Sequence, residues 1–150
     1  MFDTLHNFLK TAFKAEARPQ LDETEQLKLA TAALLIQVSA ADANESGDEQ
    51  KVIYQRLCHL LALNENESRN LYIEAQKASD DAVSVYEFTR KVKALDYQQR
   101  CKIINALWHV AYADGRLDPQ EEALIRKVAD LIYLDHKDFI QTKLAAQPLG

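Results

Sequence analysis

Two pairs of acids carry the clearest chemical signal in this sequence. Asp42 and Glu49 stand seven residues apart, as do Asp114 and Glu121, and the second pair follows the first at an offset of 72 residues. Each Asp closes an apolar run, in Ala41-Asp42 and Ala113-Asp114. Each Glu opens the next run, ahead of Val52-Ile53 and Leu124-Ile125. Carboxylates facing each other across a short interhelical loop are hard oxygen donors, suited to a divalent cation such as calcium or magnesium, with loop carbonyls and water completing the shell. Asp118 offers a further oxygen in the second loop and Glu45 in the first. The ligand order is not that of an EF-hand: Asp114-Gly115-Arg116-Leu117-Asp118 lacks the alternating donors, and no bidentate Glu falls at the twelfth position. The same residues also suit helix punctuation. Asp can fold over a loop and accept backbone N–H bonds, while Glu at the third helical position closes a capping box. Asp at a helix C-terminus opposes the dipole by roughly 0.3–1 kcal/mol, so Asp42 and Asp114 each require a partner of one kind or the other.

Helices must hold these acids, and their starts are plainly written. Six capping-box pairs occur: Asp22 with Glu25, Ser46 with Glu49, Asn64 with Glu67, Ser84 with Glu87, Asp96 with Gln99, and Asp118 with Glu121. Each precedes a helical apolar rhythm. A further helix is expected around Phe2 to Ala15, before Pro19, and a short one from about His136 to Ala145. Leu27, Leu34, Leu35, Val38 and Asp42 share one face, and Glu49, Ile53, Leu57, Leu60 and Leu61 share another. Ile103, Ile104, Leu107, Val110, Ala111 and Asp114 repeat the first face, and Glu121, Ile125, Val128 and Ile132 the second. No segment alternates with period two, so no strand is required. The expectation is an all-α fold: a single compact domain of seven to eight helices with an internal duplication of a helical hairpin, its repeats spanning about 27–63 and 99–134.

Composition narrows the function. The 150 residues are 47% hydrophobic, enough for one domain with its own core. Three glycines cannot build a phosphate cradle, which excludes Rossmann and P-loop chemistry. A net charge of −5 without a basic run argues against nucleic-acid binding. The first residues lack a secretory layout, and the apolar stretch Ala30 to Ala43 is too short to span a bilayer. Cys58 and Cys101 are isolated beside apolar stripes and are expected to be reduced, partly buried thiols.

The residues Ala113-Asp114-Gly115, Asp118 and Glu121-Glu122, with Ala40-Ala41-Asp42 and Glu49 as a first copy, resemble the tellurite-resistance protein B (TerB) family over about Leu27 to Ile140. The resemblance implies a duplicated all-helical cytoplasmic domain, placed at residues 21–150 and peripheral to the inner membrane in some settings; the residues themselves place an N-terminal amphipathic helix and linker at 1–20. It implies a stress-response role through a protein partner, and metal ligation by Asp42, Glu49, Asp114, Asp118 and Glu121. Ala43 stands where the family's motif has Gly, and Gln120 stands where the first copy has Asp48, so the two copies are not equivalent.

The remaining features are weaker. Phe2, Leu5, Phe8, Leu9 and Phe13 form one helical face, which packs on the body or docks on a membrane surface or partner; the adaptor role built on it is the alternative function. His6, His59, His109 and His136 have no zinc-like spacing. His109, beside Trp108, reads as a partly exposed polar position. Arg90, Lys91 and Lys93 read as a solvated helix face, and Tyr72, Tyr86, Tyr97, Tyr112 and Tyr133 as bundle-rim residues. No nucleophile motif occurs, and paired carboxylates across a tight loop leave little room for acid–base work on a substrate. The expectation is a binding module, not an enzyme, with no small-molecule substrate.

Overall fold

The computed structural model describes residues 22–42 and 47–148. Within them lie seven α-helices and no strand: α1 Glu23–Ala40, α2 Gly47–Leu61, α3 Glu65–Asp81, α4 Tyr86–Val92, α5 Tyr97–Ala111, α6 Pro119–Leu131 and α7 His136–Ala146. The Phe-rich face of Phe2, Leu5, Phe8, Leu9 and Phe13 lies outside the described residues.

The helix starts follow from local chemistry. Asp22 accepts the Glu25 N–H at 2.7 Å and Asp96 accepts the Gln99 N–H at 2.8 Å. Asn64 and Glu67 form a reciprocal capping box, with bonds of 2.8 and 3.0 Å. Ser46 of the expected Ser46–Glu49 box lies outside the described residues, and two other expected boxes differ. Ser84 accepts the Tyr86 N–H at 3.2 Å, and the short α4 is capped by Val85 without a side-chain bond. Asp118 accepts the Gln120 N–H at 2.7 Å, while Glu121 turns into the protein. Pro119 occupies the first turn of α6, where its missing N–H leaves no helical bond unmade.

Two helices form the centre. From Ala30 to Ile36, and at Val38, α1 is buried on every side, a departure from the single stripe expected of it. The reason is position: α1 packs against α3, α4 and α5 and touches α2 and α6 as well. Small residues Ala30, Ala32 and Ala33 admit those neighbours closely. The other central helix, α5, buries Ile103, Ile104, Ala106, Leu107, Trp108, Val110 and Ala111 and packs on α7 through Trp108 and Phe139. Polar cross-links tie the outer helices on: Gln37 Nε2 donates to Ser79 Oγ at 2.8 Å and Asn105 Nδ2 to the Thr142 carbonyl at 3.1 Å. Both acid loops thus leave the ends of the best-buried helices.

Helices α2 and α6 end in Schellman turns, closed by Leu63 N–H to the Cys58 carbonyl and Leu134 N–H to the Ala129 carbonyl. The left-handed residues are Ala62 (φ 54°) and Tyr133 (φ 63°), at the position glycine normally fills. Cys58 and Cys101 are free and half-buried, and burial pushes the Cys101 thiol above its ordinary pKa, which disfavours a reactive thiolate there. No helix among the described residues is long and apolar enough to cross a membrane.

Candidate metal centre

Glu49 is the third residue of α2 and Glu121 the third residue of α6. Both side chains leave a helix N-terminus, where the dipole favours negative charge. Both are directed inward: Glu49 is 1% exposed and Glu121 is 0% exposed. Asp42, two residues after α1, is 5% exposed. One oxygen from each of Asp42, Glu49 and Glu121 lies within 4.8 Å of the other two. Three buried carboxylates therefore meet at one point, two from the first hairpin and one from the second.

The donors facing them are few. Ser39 Oγ donates to Glu49 Oε2 at 3.0 Å. Apart from one another, Glu49 Oε1 and both oxygens of Glu121 meet no hydrogen-bond donor among the described residues. Neither Glu49 nor Glu121 forms an ion pair among the described residues. Unit charges 4 Å apart repel by about 4 kcal/mol at an effective dielectric of 20, so three such anions cannot all stay ionised without a counter-charge. A proton supplies the minimum. Burial first, then hydrogen bonding to Glu49 and the charges of Glu49, Asp42 and Asp118, push the Glu121 carboxyl up to about 9. Burial also raises Glu49, against the opposing pull of its bonds to Glu121 and Ser39. These directions describe a carboxyl–carboxylate pair in which Glu121 carries the shared hydrogen and Glu49 accepts it.

The other two sequence candidates are placed differently. Asp114 is exposed, and its Oδ1 accepts the Arg116 N–H at 3.0 Å, forming a turn completed by Gly115 at φ 83°. Asp118 is half-buried and caps α6. Neither joins the three-carboxylate cluster. Their charges still reach it, Asp114 raising Glu49 and Asp118 raising Glu121. The sequence reading placed one acid pair at each of two loops; the structure assembles a single cluster across the two hairpins. Ser39 was missed altogether. Its signal was a hydroxyl in the last turn of α1, ten residues before Glu49.

Residues 28–144 match the family model described as "Tellurite resistance protein TerB". The chain belongs to the TerB family. Comparison with curated proteins and with solved structures returned no match. The family match spans all five acids named above, both those in the cluster and those outside it.

The donor set fits a hard cation. All three groups are carboxylates, with no nitrogen or sulfur among them, which suits calcium, magnesium or manganese over zinc or copper. Two ligands on opposite sides of a calcium ion stand about 5 Å apart, and one oxygen from each of the three residues lies within 4.8 Å of the others, close enough to share one ion. Such an ion would take up the lone pairs of Glu49 and Glu121 that meet no N–H or hydroxyl among the described residues, displacing the hydrogen the two carboxyls share.

Proposed function

We propose that this TerB-family chain is a non-enzymatic binding module in which Asp42, Glu49 and Glu121 hold one hard divalent cation, such as calcium or magnesium, and which presents its surface to a protein partner. The observation that carries this reading is Glu121: fully buried, at a helix N-terminus, with no donor for either oxygen among the described residues beyond the Glu49 carboxyl. A buried carboxylate with no donor is costly unless neutralised. A bound cation would supply that positive charge. Within the chain, Ser39 orients Glu49, the first turns of α2 and α6 aim both glutamates at the same point, and α1 fixes Asp42. Asp114 and Asp118 add negative potential from outside, favouring approach of a cation.

The same burial argues against catalysis. Acid–base work by these carboxylates needs a substrate within hydrogen-bond reach, and groups 0–5% exposed admit none of ordinary size. By this reading a cytoplasmic response to tellurite, the stress in the family's description, is served through binding.

Calorimetric titration of chelator-treated protein with calcium and with magnesium tests the cation. Saturable binding of one ion per chain is expected, lost in Glu121→Gln and retained in Asp114→Asn. Absence of saturable heat and of any melting-temperature change with either ion would sink the reading.

A further inference from the structure

A second feature lies away from the carboxylates, where α4 meets the end of α6. Tyr86, Glu87, Thr89, Arg90, Leu131 and Tyr133, with Lys93, line a cleft of about 330 Å³. Tyr86 is 57% exposed and Tyr133 67% exposed. The Lys93 ammonium stands 5.9 Å from the centre of the Tyr133 ring. Arg90 and Lys93 are both exposed, and neither pairs with a carboxylate among the described residues. The Glu87 carboxylate is the single negative charge of the lining. In a chain of net charge −5, two unpaired cations flanked by two exposed rings form a positive aromatic island.

The backbone adds an independent observation. Tyr133 holds φ 63°, a conformation that is an outlier for a bulky residue, and it does so with its ring largely in solvent. Burial of the ring does not repay the strain. The turn is instead held from behind: Arg100 Nη1 donates to the Ile132 carbonyl at 2.6 Å and Arg100 Nε to the Leu95 carbonyl at 3.0 Å. A strained residue locked by its surroundings, with an exposed aromatic side chain aimed beside unpaired cations, has the form of a presented recognition group.

We propose that this cleft docks an extended acidic segment of a partner protein, its carboxylates paired by Arg90 and Lys93 and its aliphatic or proline groups held against Tyr86 and Tyr133. The charge of the lining selects an anionic partner, and the rings favour one with apolar surface between its charges. The proposal rests on the reading of the chain as a partner-binding module and stands independently of the carboxylate cluster.

The test uses a fluorescein-labelled peptide of alternating glutamate and proline, its lysine–proline counterpart, inorganic phosphate, and vesicles containing phosphatidylglycerol. Each is measured at low salt with chelator and again with calcium. The acidic peptide is expected to bind saturably and to move the amide resonances of Tyr86, Arg90, Lys93 and Tyr133, while the basic peptide does neither. The double variant Arg90→Glu/Lys93→Glu should bind about tenfold more weakly or worse. Tyr133→Gly separates strain from recognition: it should melt at a higher temperature than the wild type and yet bind about tenfold more weakly. No saturable binding, unchanged affinity in either variant, or resonance shifts confined to another face would overturn the proposal. So would phosphate alone occupying the same residues and displacing the peptide, or vesicle capture through these residues without peptide binding. Failure here with cation binding intact leaves the metal centre standing, and the reverse outcome leaves this surface standing.

Discussion

The two acid hairpins carry the same spacing and reach different ends. In the first, Asp42 is buried with Glu49, and Ser39 donates to Glu49. In the second, Asp114 is exposed and closes its own turn, while Glu121 is buried with no hydroxyl or N–H donor among the described residues. At the offset of 72 residues, Ser39 corresponds to Ala111. The missing hydroxyl leaves Glu121 dependent on the first hairpin. A repeated pattern has thus produced one shared cluster with unequal contributions. The two Asp residues mark the difference: Asp114 accepts a backbone N–H of its own loop, and Asp42 lies in the buried cluster.

The sharpest way to break this contrast is by substitution at corresponding positions. At free calcium about 100-fold above its dissociation constant, a cation bound only to the folded state stabilises by about 2.7 kcal/mol. That increment should vanish in Glu121→Gln and persist in Asp114→Asn, read as the difference in melting with and without chelator. Equal loss in both variants would mean that the second loop holds an ion of its own.

Acidity gives an effect of comparable size. The Glu121 carboxyl is raised to about 9 in the fold, against an ordinary value near 4.5 when unfolded. The folded state therefore holds a proton that the unfolded chain releases. Its cation-free stability is fully present below about pH 4.5 and falls as pH climbs toward 9, by at most about 1.4 kcal/mol per unit. Cation-free protein should melt higher at pH 5.5 than at pH 8. Saturating calcium or Glu121→Gln should flatten that difference, as followed by calorimetry.

Smaller effects refine the comparison. Ser39→Ala removes the hydroxyl donor of Glu49 and should destabilise by about 1 kcal/mol in urea unfolding, weakening cation binding as well. Ala62→Gly relieves a left-handed alanine at the end of α2 and should stabilise by about 0.5–1 kcal/mol. A loss of stability there would show that the methyl group packs against something in the turn.

Much of the architecture was legible because it is local. Asp22, Asn64, Asp96 and Asp118 each announce a helix, and each accepts a first-turn N–H. Apolar periodicity correctly marked the core of α5 and α6, from Ile103 to Ile125 and Val128. The site was legible as residue types and not as an assembly. That Glu49 and Glu121 meet depends on how the first turns of α2 and α6 are brought together through α1 and α5, which no spacing along the chain encodes. The exposure of Asp114 follows from a turn bond to Arg116 that spacing permits without requiring. The burial of α1 on all sides was hidden because its alanines read as neutral in an amphipathic pattern, although they are what allows close approach. Tyr133 offered no signal, since no glycine marks the turn it occupies.

The chain contains one tryptophan, and Trp108 is fully enclosed between Tyr112, Phe139 and the Lys143 ammonium, 5.4 Å above its ring. It lies on the helix that leads into the Asp114 turn, so its ultraviolet emission is a built-in optical gauge of that half of the protein. Water entering there would redden the spectrum. Loosening confined to α3, which packs on α1 and α2, would leave the colour unchanged, so light alone can tell whether the Trp108 side opens first.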